Sequence, residues 1–383
     1  MLTWLAYLAF VSLGLPDGLQ GVAWPSIRAT FALPIDALGT LLVTFTAGYL
    51  VSSFTSGWLL SRAGVGTLLA LSCAATALSL LGYALAPAWS VMVALGVLSG
   101  LGAGAIDAGL NTFAATRFSA RMVSWLHACY GVGAAVGPAL MTVVLARGGP
   151  WQRGYAIVGL AQLALALGFA LTRTRWTSGR EEPAPSSPRP ATIASTGRLP
   201  AVWLGVLGFL IYTGIEATAG TWAYSLFTEA RGIPPGAAGT WVSLYWVSLT
   251  AGRLLAGALA GLVSPHTLLR ACPLGLLLGA TLVWLGTAGS WGGLGLLLVG
   301  LAEAPIFPSL ISTTAARIGP SHVANAVGFQ IAAAVLGQSV LPALAGVLAR
   351  ALGLEVIGAV LVAAALALSA TCAALRARTR LSP

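Results

Sequence analysis

The sequence predicts an all-α membrane protein in which twelve transmembrane helices form two six-helix bundles, and three observations support this prediction. The first is polarity, because 58% of the 383 residues are hydrophobic and only 7% are charged. Soluble proteins carry roughly 25% charged residues, so a soluble fold of this length would lack the polar groups that cover a surface. The second observation is the length of the apolar runs, and the third is an internal repeat.

The apolar runs are long enough to cross a bilayer, which takes about 20 residues in a helix. They exceed the alternating segments of about ten residues that are typical of an outer-membrane barrel, so a barrel is excluded. Clusters of Arg, Pro or Gly separate the runs. The twelve predicted helices cover residues 4–27, 38–60, 66–86, 90–115, 122–146, 154–172, 201–227, 238–262, 267–287, 293–315, 323–348 and 355–375.

A polar segment divides the predicted helices into two sets of six. It is rich in Pro, Ser and Arg, a composition that is typical of flexible linkers and cannot span lipid. The sequence therefore predicts an N-terminal bundle over residues 1–172, a cytoplasmic flexible linker over residues 173–200 and a C-terminal bundle over residues 201–383.

An internal repeat relates the two predicted bundles at a shift of 200 residues. Gly57 corresponds to Gly257, and Gly137 corresponds to Gly337. Because an even number of helices separates the repeats, both halves have the same orientation in the membrane. Parallel repeats of this kind are found in secondary transporters, which hold their substrate near the bilayer midplane between the halves.

The arginines predict the orientation of the chain in the membrane. All 19 basic residues are arginine, and with both termini inside, thirteen fall on the cytoplasmic side against five outside. Cytoplasmic loops carry such an excess of positive charge. We therefore expect a multi-pass protein of a prokaryotic cytoplasmic (inner) membrane with both termini in the cytoplasm. The first apolar run lacks the flanks of a cleavable signal peptide and is interpreted as a helix.

Composition and motifs disfavour several function classes. A net charge of +10 would suggest nucleic acid for a soluble protein, but here the arginines lie at predicted helix ends, so no nucleic-acid partner is expected. The four cysteines lie singly in apolar runs, without the spacing of a metal site. No Walker sequence is present, and no nucleophile has the sequence context of a hydrolase. We expect neither an enzyme nor a metal or organic cofactor.

Several segments resemble one family of transporters. The stretch Gly57-Trp58-Leu59-Leu60-Ser61-Arg62-Ala63-Gly64 resembles the G-x-L-x-D-R-x-G loop of the major facilitator superfamily, with Ser61 at the aspartate position. Four segments resemble the fucose–proton symporter family within it: Leu15–Gly18 with Trp24-Pro25, Gly102–Asn111, His127–Gly133 with Gly137-Pro138, and Tyr212–Glu216 with Gly220–Trp222. The resemblance implies the major facilitator fold, a sugar substrate and proton coupling.

Five charged residues lie within the predicted helices away from their ends: Asp17, Asp107, Glu216, Arg253 and Glu303. A charged group at the bilayer centre costs at least about 2.5–3.5 kcal/mol, so each is a functional hypothesis by default. Removal from water favours the neutral form of a carboxylic acid, which allows such a group to carry a proton. The resemblance places a proton-coupling acid at Asp107, and Asp17 and Glu216 are further candidates. A hydrogen bond between packed helices is the alternative for Asp107, and a structural anchor near the outer helix end is the alternative for Asp17. Sodium is the alternative coupling ion.

Residues near these acids are predicted to bind the substrate. Carboxylates accept hydrogens from sugar hydroxyls, and aromatic rings cover the C–H face of a sugar. His127 and Tyr130 are included because their segment resembles the substrate-binding stretch of the family. The candidate substrate-binding residues are Gln20, Trp24, Asn111, His127, Tyr130, Tyr212, Glu216, Trp222, Glu303 and Gln330.

Two arginines are candidates for gating. Arg62 lies in the loop that resembles the superfamily motif, and Arg253 lies within the eighth predicted helix. We expect Arg253 to pair with an acid or to close a cytoplasmic gate rather than to bind an anion. Pro305 and Pro308 are predicted to interrupt the tenth helix just after Glu303.

The sequence thus predicts a monomeric secondary active transporter that imports a sugar or a related polar small molecule with protons by alternating access. Proton-coupled efflux of drugs or metabolites is the alternative, because Gly133, Gly137 and Pro138 resemble a helix motif of antiporters. A transport-dead sensor or scaffold is a third possibility. Four acids inside the membrane speak against it, since an inert bundle has little reason to bury them.

Overall fold

The computed structural model describes residues 1–176, 191–259, 261–287 and 290–379. This part of the chain contains fourteen α-helices, so the predicted all-α class is confirmed. The helices are α1 Leu2–Phe31, α2 Leu38–Leu85, α3 Trp89–Arg117, α4 Ala120–Ala146, α5 Trp151–Thr172, α6 Ile193–Gly197, α7 Pro200–Ser225, α8 Pro235–Ala258, α9 Pro265–Leu285, α10 Trp291–Glu303, α11 Ile306–Ser312, α12 Thr314–Ile318, α13 Val323–Leu352 and α14 Val356–Thr379.

Ten stretches of the described chain are long and apolar enough to cross a membrane. One of them, Ile35–Leu85, has 51 residues and includes α2. Its two helical arms meet at Gly64, whose φ of 73° and ψ of 161° lie outside the helical region. Because this backbone conformation is open essentially to glycine alone, the second and third predicted helices join at a single residue rather than across a loop. The helix α8 has 24 residues and is not among the ten stretches.

The tenth predicted helix is divided into three shorter ones. α10 ends at Glu303 and α11 begins at Ile306, so the predicted interruption is confirmed. Pro305 lies in the gap, since proline has no amide hydrogen for the helical ladder and its ring clashes with the preceding turn. A second break at Thr313 separates α11 from α12. The interruption leaves the Glu303 side chain at a helix end.

The predicted flexible linker, residues 173–200, is folded at its N-terminal end. Trp176 is 3% exposed, and its ring centroid lies 4.7 Å from that of Phe113 and 5.0 Å from that of Phe169. This aromatic residue therefore extends the core of the N-terminal helices, which corrects the prediction for this end. Residues 177–190 of the predicted linker lie outside the described part of the chain.

The C-terminal end of the predicted linker is also folded. The short helix α6 carries Thr196, which is 0% exposed and lies 2.9 Å from Nδ1 of His322 through its hydroxyl oxygen. Asn325 donates to the carbonyl oxygen of Ala191 at 2.8 Å. Composition indicated a polar connection here, but these hydrogen bonds dock α6 onto the start of α13.

Contacts between Cα atoms divide the chain into two compact units. Unit 1 comprises Met1–Glu182 with Pro234–Trp246, and unit 2 comprises Pro183–Ile233 with Val247–Pro383. In unit 1, α1 packs on α4, and α2 packs on α3 and α5. In unit 2, α7 packs on α13, and α9 packs on α10 and α14. The predicted bounds of the two bundles stay a prediction.

Glycines bring the paired helices of each unit into close approach. A Cβ atom on Gly137 of α4 would collide with the carbonyl oxygen of Leu15 in α1. A Cβ atom on Gly337 of α13 would likewise collide with the carbonyl oxygen of Leu210 in α7. Small residues allow such close backbone contact between membrane helices. The two glycines are 200 residues apart, so the sequence repeat corresponds to a repeated helix pair.

Candidate functional site

Among the described residues, the candidate acids lie in one polar cluster in each unit, and the first is built around Asp107 on α3. Tyr49 on α2 donates its hydroxyl hydrogen to Oδ2 of Asp107 at 2.8 Å. Asn111 donates its amide hydrogen to Oδ1 at 2.9 Å, as expected for side chains one helical turn apart. Each oxygen of this carboxylate therefore accepts a hydrogen bond from a neutral donor, and His127 adds an electrostatic interaction.

The approach of α2 to α3 explains how Tyr49 reaches Asp107. A Cβ atom on Gly104 would lie 2.6 Å from the carbonyl oxygen of Tyr49 and would collide with Oγ of Ser52. Glycine at this position therefore permits a short distance between α2 and α3, which any larger residue would increase. The phenol of Tyr49 then spans the short distance to the carboxylate one turn further along α3.

The second acid of unit 1, Asp17, pairs with a residue of α4. Tyr130 donates its hydroxyl hydrogen to Oδ2 of Asp17 at 2.8 Å. Both side chains are partly exposed, and Asp17 follows Pro16 inside α1. The structure thus joins two residues that the sequence analysis had selected separately, one as a coupling acid and one as a substrate-binding residue.

Tyr49 connects the two acids of unit 1 and was missed by the sequence analysis. Besides its hydrogen bond to Asp107, it interacts electrostatically with Asp17. The only available signal was a tyrosine in the middle of an apolar run, one of eight tyrosines in the chain. Such a residue is not distinctive by itself, since buried tyrosines commonly pack against helices and satisfy their hydroxyl locally.

The remaining candidates of unit 1 lie on α1 and α4. Nε2 of Gln20 and Nε1 of Trp24 are buried donors that have no hydrogen-bond partner among the described residues. The Trp24 ring lies 5.6 Å from that of Trp89, between centroids. His127 is exposed, and its ring packs edge-on against Phe10 at 5.2 Å. Gln20 and Trp24 thus offer two donors on the α1 face that also carries Asp17.

The cluster of unit 2 is centred on Glu216 of α7, which is 5% exposed. Tyr212, one turn earlier, donates its hydroxyl hydrogen to Oε2 of Glu216 at 2.7 Å. Arg253 on α8 donates through Nη2 to the same oxygen at 3.1 Å and to the Tyr212 hydroxyl oxygen at 3.3 Å. The expected pairing of Arg253 with an acid is therefore present, and its partner is Glu216.

Glu303 belongs to the surroundings of this second cluster. Its side chain is 0% exposed at the end of α10, and its charge acts on Tyr212. The ring of Phe307 lies 5.9 Å from that of Tyr212, between centroids. The break in the helix after Glu303 thus brings a third ionisable side chain and an aromatic ring to the Tyr212 side of Glu216.

Two candidate substrate-binding residues of unit 2, Trp222 and Gln330, are buried between packed helices. Trp222 is 0% exposed and donates its indole hydrogen to the carbonyl oxygen of Pro342 at 2.9 Å. Gln330 is 1% exposed and donates through Nε2 to the Thr314 hydroxyl oxygen at 3.2 Å. Because their polar atoms already have partners between packed helices, both side chains contribute to helix packing, and their substrate-binding role stays a prediction.

Arg62 lies apart from both clusters. It is exposed on the first arm of α2, shortly before Gly64, and its guanidinium lies 4.5 Å above the Trp58 ring. Ser61, at the position of the motif aspartate, donates its hydroxyl hydrogen to the carbonyl oxygen of Trp58. The predicted gating role of Arg62 rests on the motif alone.

Comparison with known proteins identifies the family to which the chain belongs. A family model described as the Major Facilitator Superfamily matches residues 6–329 of the chain. The chain therefore belongs to the major facilitator superfamily, and it is a membrane transporter and not an enzyme.

The named relatives are distant. The chain is 24% identical over 385 residues to a protein called bypass of stop codon protein 6 from Saccharomyces cerevisiae, covering 91% of this chain and 77% of the relative. It is 25% identical over 205 residues to a glucose/galactose transporter from Brucella abortus biovar 1, covering 52% of this chain and 48% of that transporter. This match spans about half the length of each protein.

Solved structures share the fold. A point mutant of the nucleoside transporter NupG superimposes with a TM-score of 0.81 at 12% identity, covering 98% of this chain and 100% of that one. A bacterial homolog of the human lysosomal transporter Spinster gives a TM-score of 0.73 at 14% identity, covering 99% and 94%. At these identities the likeness shows the fold alone, so the resemblance to the fucose–proton symporters stays a hypothesis.

Proposed function

We propose that this major facilitator protein is a proton-coupled importer of a sugar or a closely related polyhydroxylated small molecule. It works by alternating access, in which the bound substrate is exposed to each side of the membrane in turn. Protons are the proposed coupling ion, with Asp107 as the acid that carries them. Sodium is the alternative ion.

The observation that carries the proposal is the environment of Asp107. A tyrosine hydroxyl and an amide hold its two oxygens, and both donors are neutral. Asp107 is half-buried, and partial removal from water disfavours an ionised carboxylate that has no directly bonded cation. Tyr49 can remain a partner of the protonated acid, because a phenol oxygen can also accept a hydrogen. The site is therefore suited to bind and release a proton.

The substrate class is supported by donors and acceptors within each unit, taken separately. In unit 1, Asp17 presents carboxylate oxygens, and Gln20 and Trp24 present buried donors on the α1 face that carries Asp17. In unit 2, Glu216 presents carboxylate oxygens. Hydroxyl groups both donate and accept hydrogen bonds, so a polyol can match these groups. The Brucella relative is called a glucose/galactose transporter, which agrees with a sugar substrate.

The proposal includes a topology. Ten stretches of the described chain qualify as membrane spans by length and composition. Counting the two arms of α2 separately and adding α8 gives the twelve spans expected from the sequence. We propose that the chain crosses the inner membrane of a prokaryote with both termini in the cytoplasm, and that it acts as a monomer.

Uptake into proteoliposomes tests the function. Purified protein is reconstituted, and accumulation of radiolabelled D-glucose, D-galactose, L-fucose and uridine is measured under an imposed pH gradient, a sodium gradient or neither. We expect one of the three sugars to accumulate only with the pH gradient. Protein-free vesicles and vesicles with Asp107→Asn protein serve as controls. Accumulation of uridine alone would contradict the sugar assignment, and accumulation driven by sodium alone would contradict proton coupling.

The efflux alternative gives a different result in the same vesicles. An antiporter expels its substrate from a compartment as protons enter it, so an opposite pH gradient would drive accumulation. The motif Gly133, Gly137 and Pro138 was the reason to consider this activity, but in the structure Gly133 and Gly137 serve the close approach of α4 to α1. This packing role is sufficient to explain the two glycines.

A further inference from the structure

The carboxylates of the two clusters differ in the charge of their partners. Asp107 receives hydrogen bonds from the neutral groups of Tyr49 and Asn111. Glu216 receives one from the guanidinium of Arg253, with which it forms an ion pair at 3.1 Å. The Glu216 side chain is 6% exposed and that of Arg253 is 28% exposed, so the acid is the more deeply buried partner.

The hydrogen bonds of Glu216 converge on one oxygen. Both Tyr212 and Arg253 donate to Oε2, at 2.7 Å and 3.1 Å. Arg253 also donates to the Tyr212 hydroxyl oxygen, so the phenol hydrogen is directed at the carboxylate and cannot turn toward the guanidinium. A guanidinium 3.1 Å from a carboxylate oxygen favours the ionised form of that carboxylate.

We propose that Arg253 is a positioning residue that keeps Glu216 ionised, so that the carboxylate of unit 2 does not carry the coupling proton. The consequence of this inference for transport rests on the proton coupling proposed above. It removes Glu216 from the three candidate coupling acids and assigns it a constant negative charge. Its oxygens then act as permanent acceptors, which suits the hydroxyl groups of a substrate.

The charged and titratable groups around Glu216 come from three helices. Tyr212 lies on the same helix, Arg253 on α8, and Glu303 at the end of α10, where its charge acts on Tyr212. The cation of Arg253 offsets the cost of burying the Glu216 carboxylate.

A double-mutant cycle tests the proposal without any substrate. Loss of one partner of a buried ion pair is costly because an uncompensated charge stays behind, whereas replacing both partners can be nearly neutral. The variants are Glu216→Gln, Arg253→Met, the double variant of both, and Arg253→Lys, which retains the cation. Methionine is chosen because it retains much of the unbranched apolar stem of arginine. The apparent melting temperature of the detergent-solubilised proteins is measured from about pH 5 to about pH 8.

We expect the difference in melting temperature between Arg253→Met and the double variant to change with pH. In Arg253→Met protein, buried Glu216 lacks its cation and is tolerated only when protonated. Its melting temperature should match that of the double variant at low pH and fall several degrees below it as the pH rises. The difference between wild type and Glu216→Gln should stay constant over this range, and Arg253→Lys should behave like wild type.

Two outcomes would overturn the proposal. One is an equal melting-temperature difference between Arg253→Met and the double variant at every pH, since a merely structural arginine acts without a proton. The other is a wild-type to Glu216→Gln difference that itself changes with pH, since Glu216 would then titrate beside Arg253. If Arg253→Met does not fold, the difference in melting temperature between wild type and Glu216→Gln, followed over the pH range, still tests the proposal. Neither readout involves transport, so failure of the sugar or proton assignment leaves this test intact.

Discussion

Tyr130 donates its hydroxyl hydrogen to Oδ2 of Asp17 at 2.8 Å, which ties the middle of α4 to α1 across 113 positions of sequence. This bond lies where glycines let the two helices approach closely, with Gly14 against the carbonyl oxygen of Tyr130. Packing and polar chemistry are thus joined at one helix crossing. A substitution that alters the packing of α1 on α4 should therefore also alter the hydrogen bond between Tyr130 and Asp17, and the reverse.

Removing the Tyr130 hydroxyl tests this bond. Tyr130→Phe retains the ring but leaves Asp17 with one donor fewer, so we expect a loss of about 1–2 kcal/mol in the free energy of unfolding. The double variant Tyr130→Phe with Asp17→Asn should lose little more than Asp17→Asn alone. Independent, additive losses, measured by thermal unfolding in detergent, would show that the bond contributes nothing.

Asp107→Asn should separate coupling from binding. The amide mimics the permanently protonated acid, so accumulation driven by a pH gradient should fall to the level of empty vesicles. Exchange of labelled for unlabelled substrate at equal concentrations needs no net proton movement and should persist. Both are measured in the same proteoliposomes, with wild-type protein and protein-free vesicles as controls. Accumulation at the wild-type rate in Asp107→Asn protein would make Asp107 a packing residue and leave coupling to Asp17.

Glu216 and Trp222 should now respond differently, although the sequence placed both in a substrate site. Glu216→Gln should weaken binding of the transported sugar and retain its accumulation under a pH gradient. Trp222→Ala should mainly destabilise, by about 3–5 kcal/mol, because it empties a fully buried volume. Trp222→Phe, which loses the bond to Pro342 but fills most of that space, should lose less. Wild-type stability of Trp222→Ala with weakened sugar binding would instead support the predicted substrate-binding role of Trp222.

Gly133→Ala should destabilise unit 1, because the added methyl would collide with the carbonyl oxygen of Val11 in α1. We expect a loss of about 1–3 kcal/mol, or a failure to assemble the helix pair. Gly57→Ala is the matched control, since nothing lies within 4 Å of a Cβ atom at that position. Its melting temperature should equal or slightly exceed that of wild type, as alanine is the better helix former. Equal effects of the two changes would argue against the close helix contact.

The orientation can be measured with fused reporters. A reporter placed at Gly149, between α4 and α5, should be external, and one placed at Ser264, before α9, should be cytoplasmic. The reason is the excess of arginine in the loops on the side of the termini. Inverted signals at both positions would show that the arginine count does not set the orientation.

Much of the fold was predictable because hydropathy acts locally along the chain. The apolar runs gave the helices, and Pro305 gave the break after Glu303. The errors occurred where a single residue determines the outcome. One glycine, Gly64, replaces the predicted loop within α2, and one aromatic residue, Trp176, anchors a segment whose composition indicated a flexible linker. Composition averages over such residues and therefore does not reveal them.

The acids of the site were also predictable, since an ionisable residue in an apolar run is costly and therefore conspicuous. Their partners were not, apart from pairs one turn apart such as Asp107 with Asn111 and Tyr212 with Glu216. Tyr49 was overlooked, and Trp222 was assigned to the substrate although its indole hydrogen is bound to Pro342. In the sequence, an aromatic residue that bonds to an acid looks the same as one that packs between helices.

The sequence by itself determined that this chain is a helical membrane transporter, which of its residues are ionisable within the membrane, and that its halves repeat. These properties follow from composition and from spacing along a single helix. Only the tertiary structure decided that Asp107 accepts a hydrogen bond from the neutral Tyr49 and Glu216 one from the cation of Arg253, because Tyr49 and Arg253 lie on other helices. The charge that a buried carboxylate can sustain depends on those neighbours, and only folding brings them together.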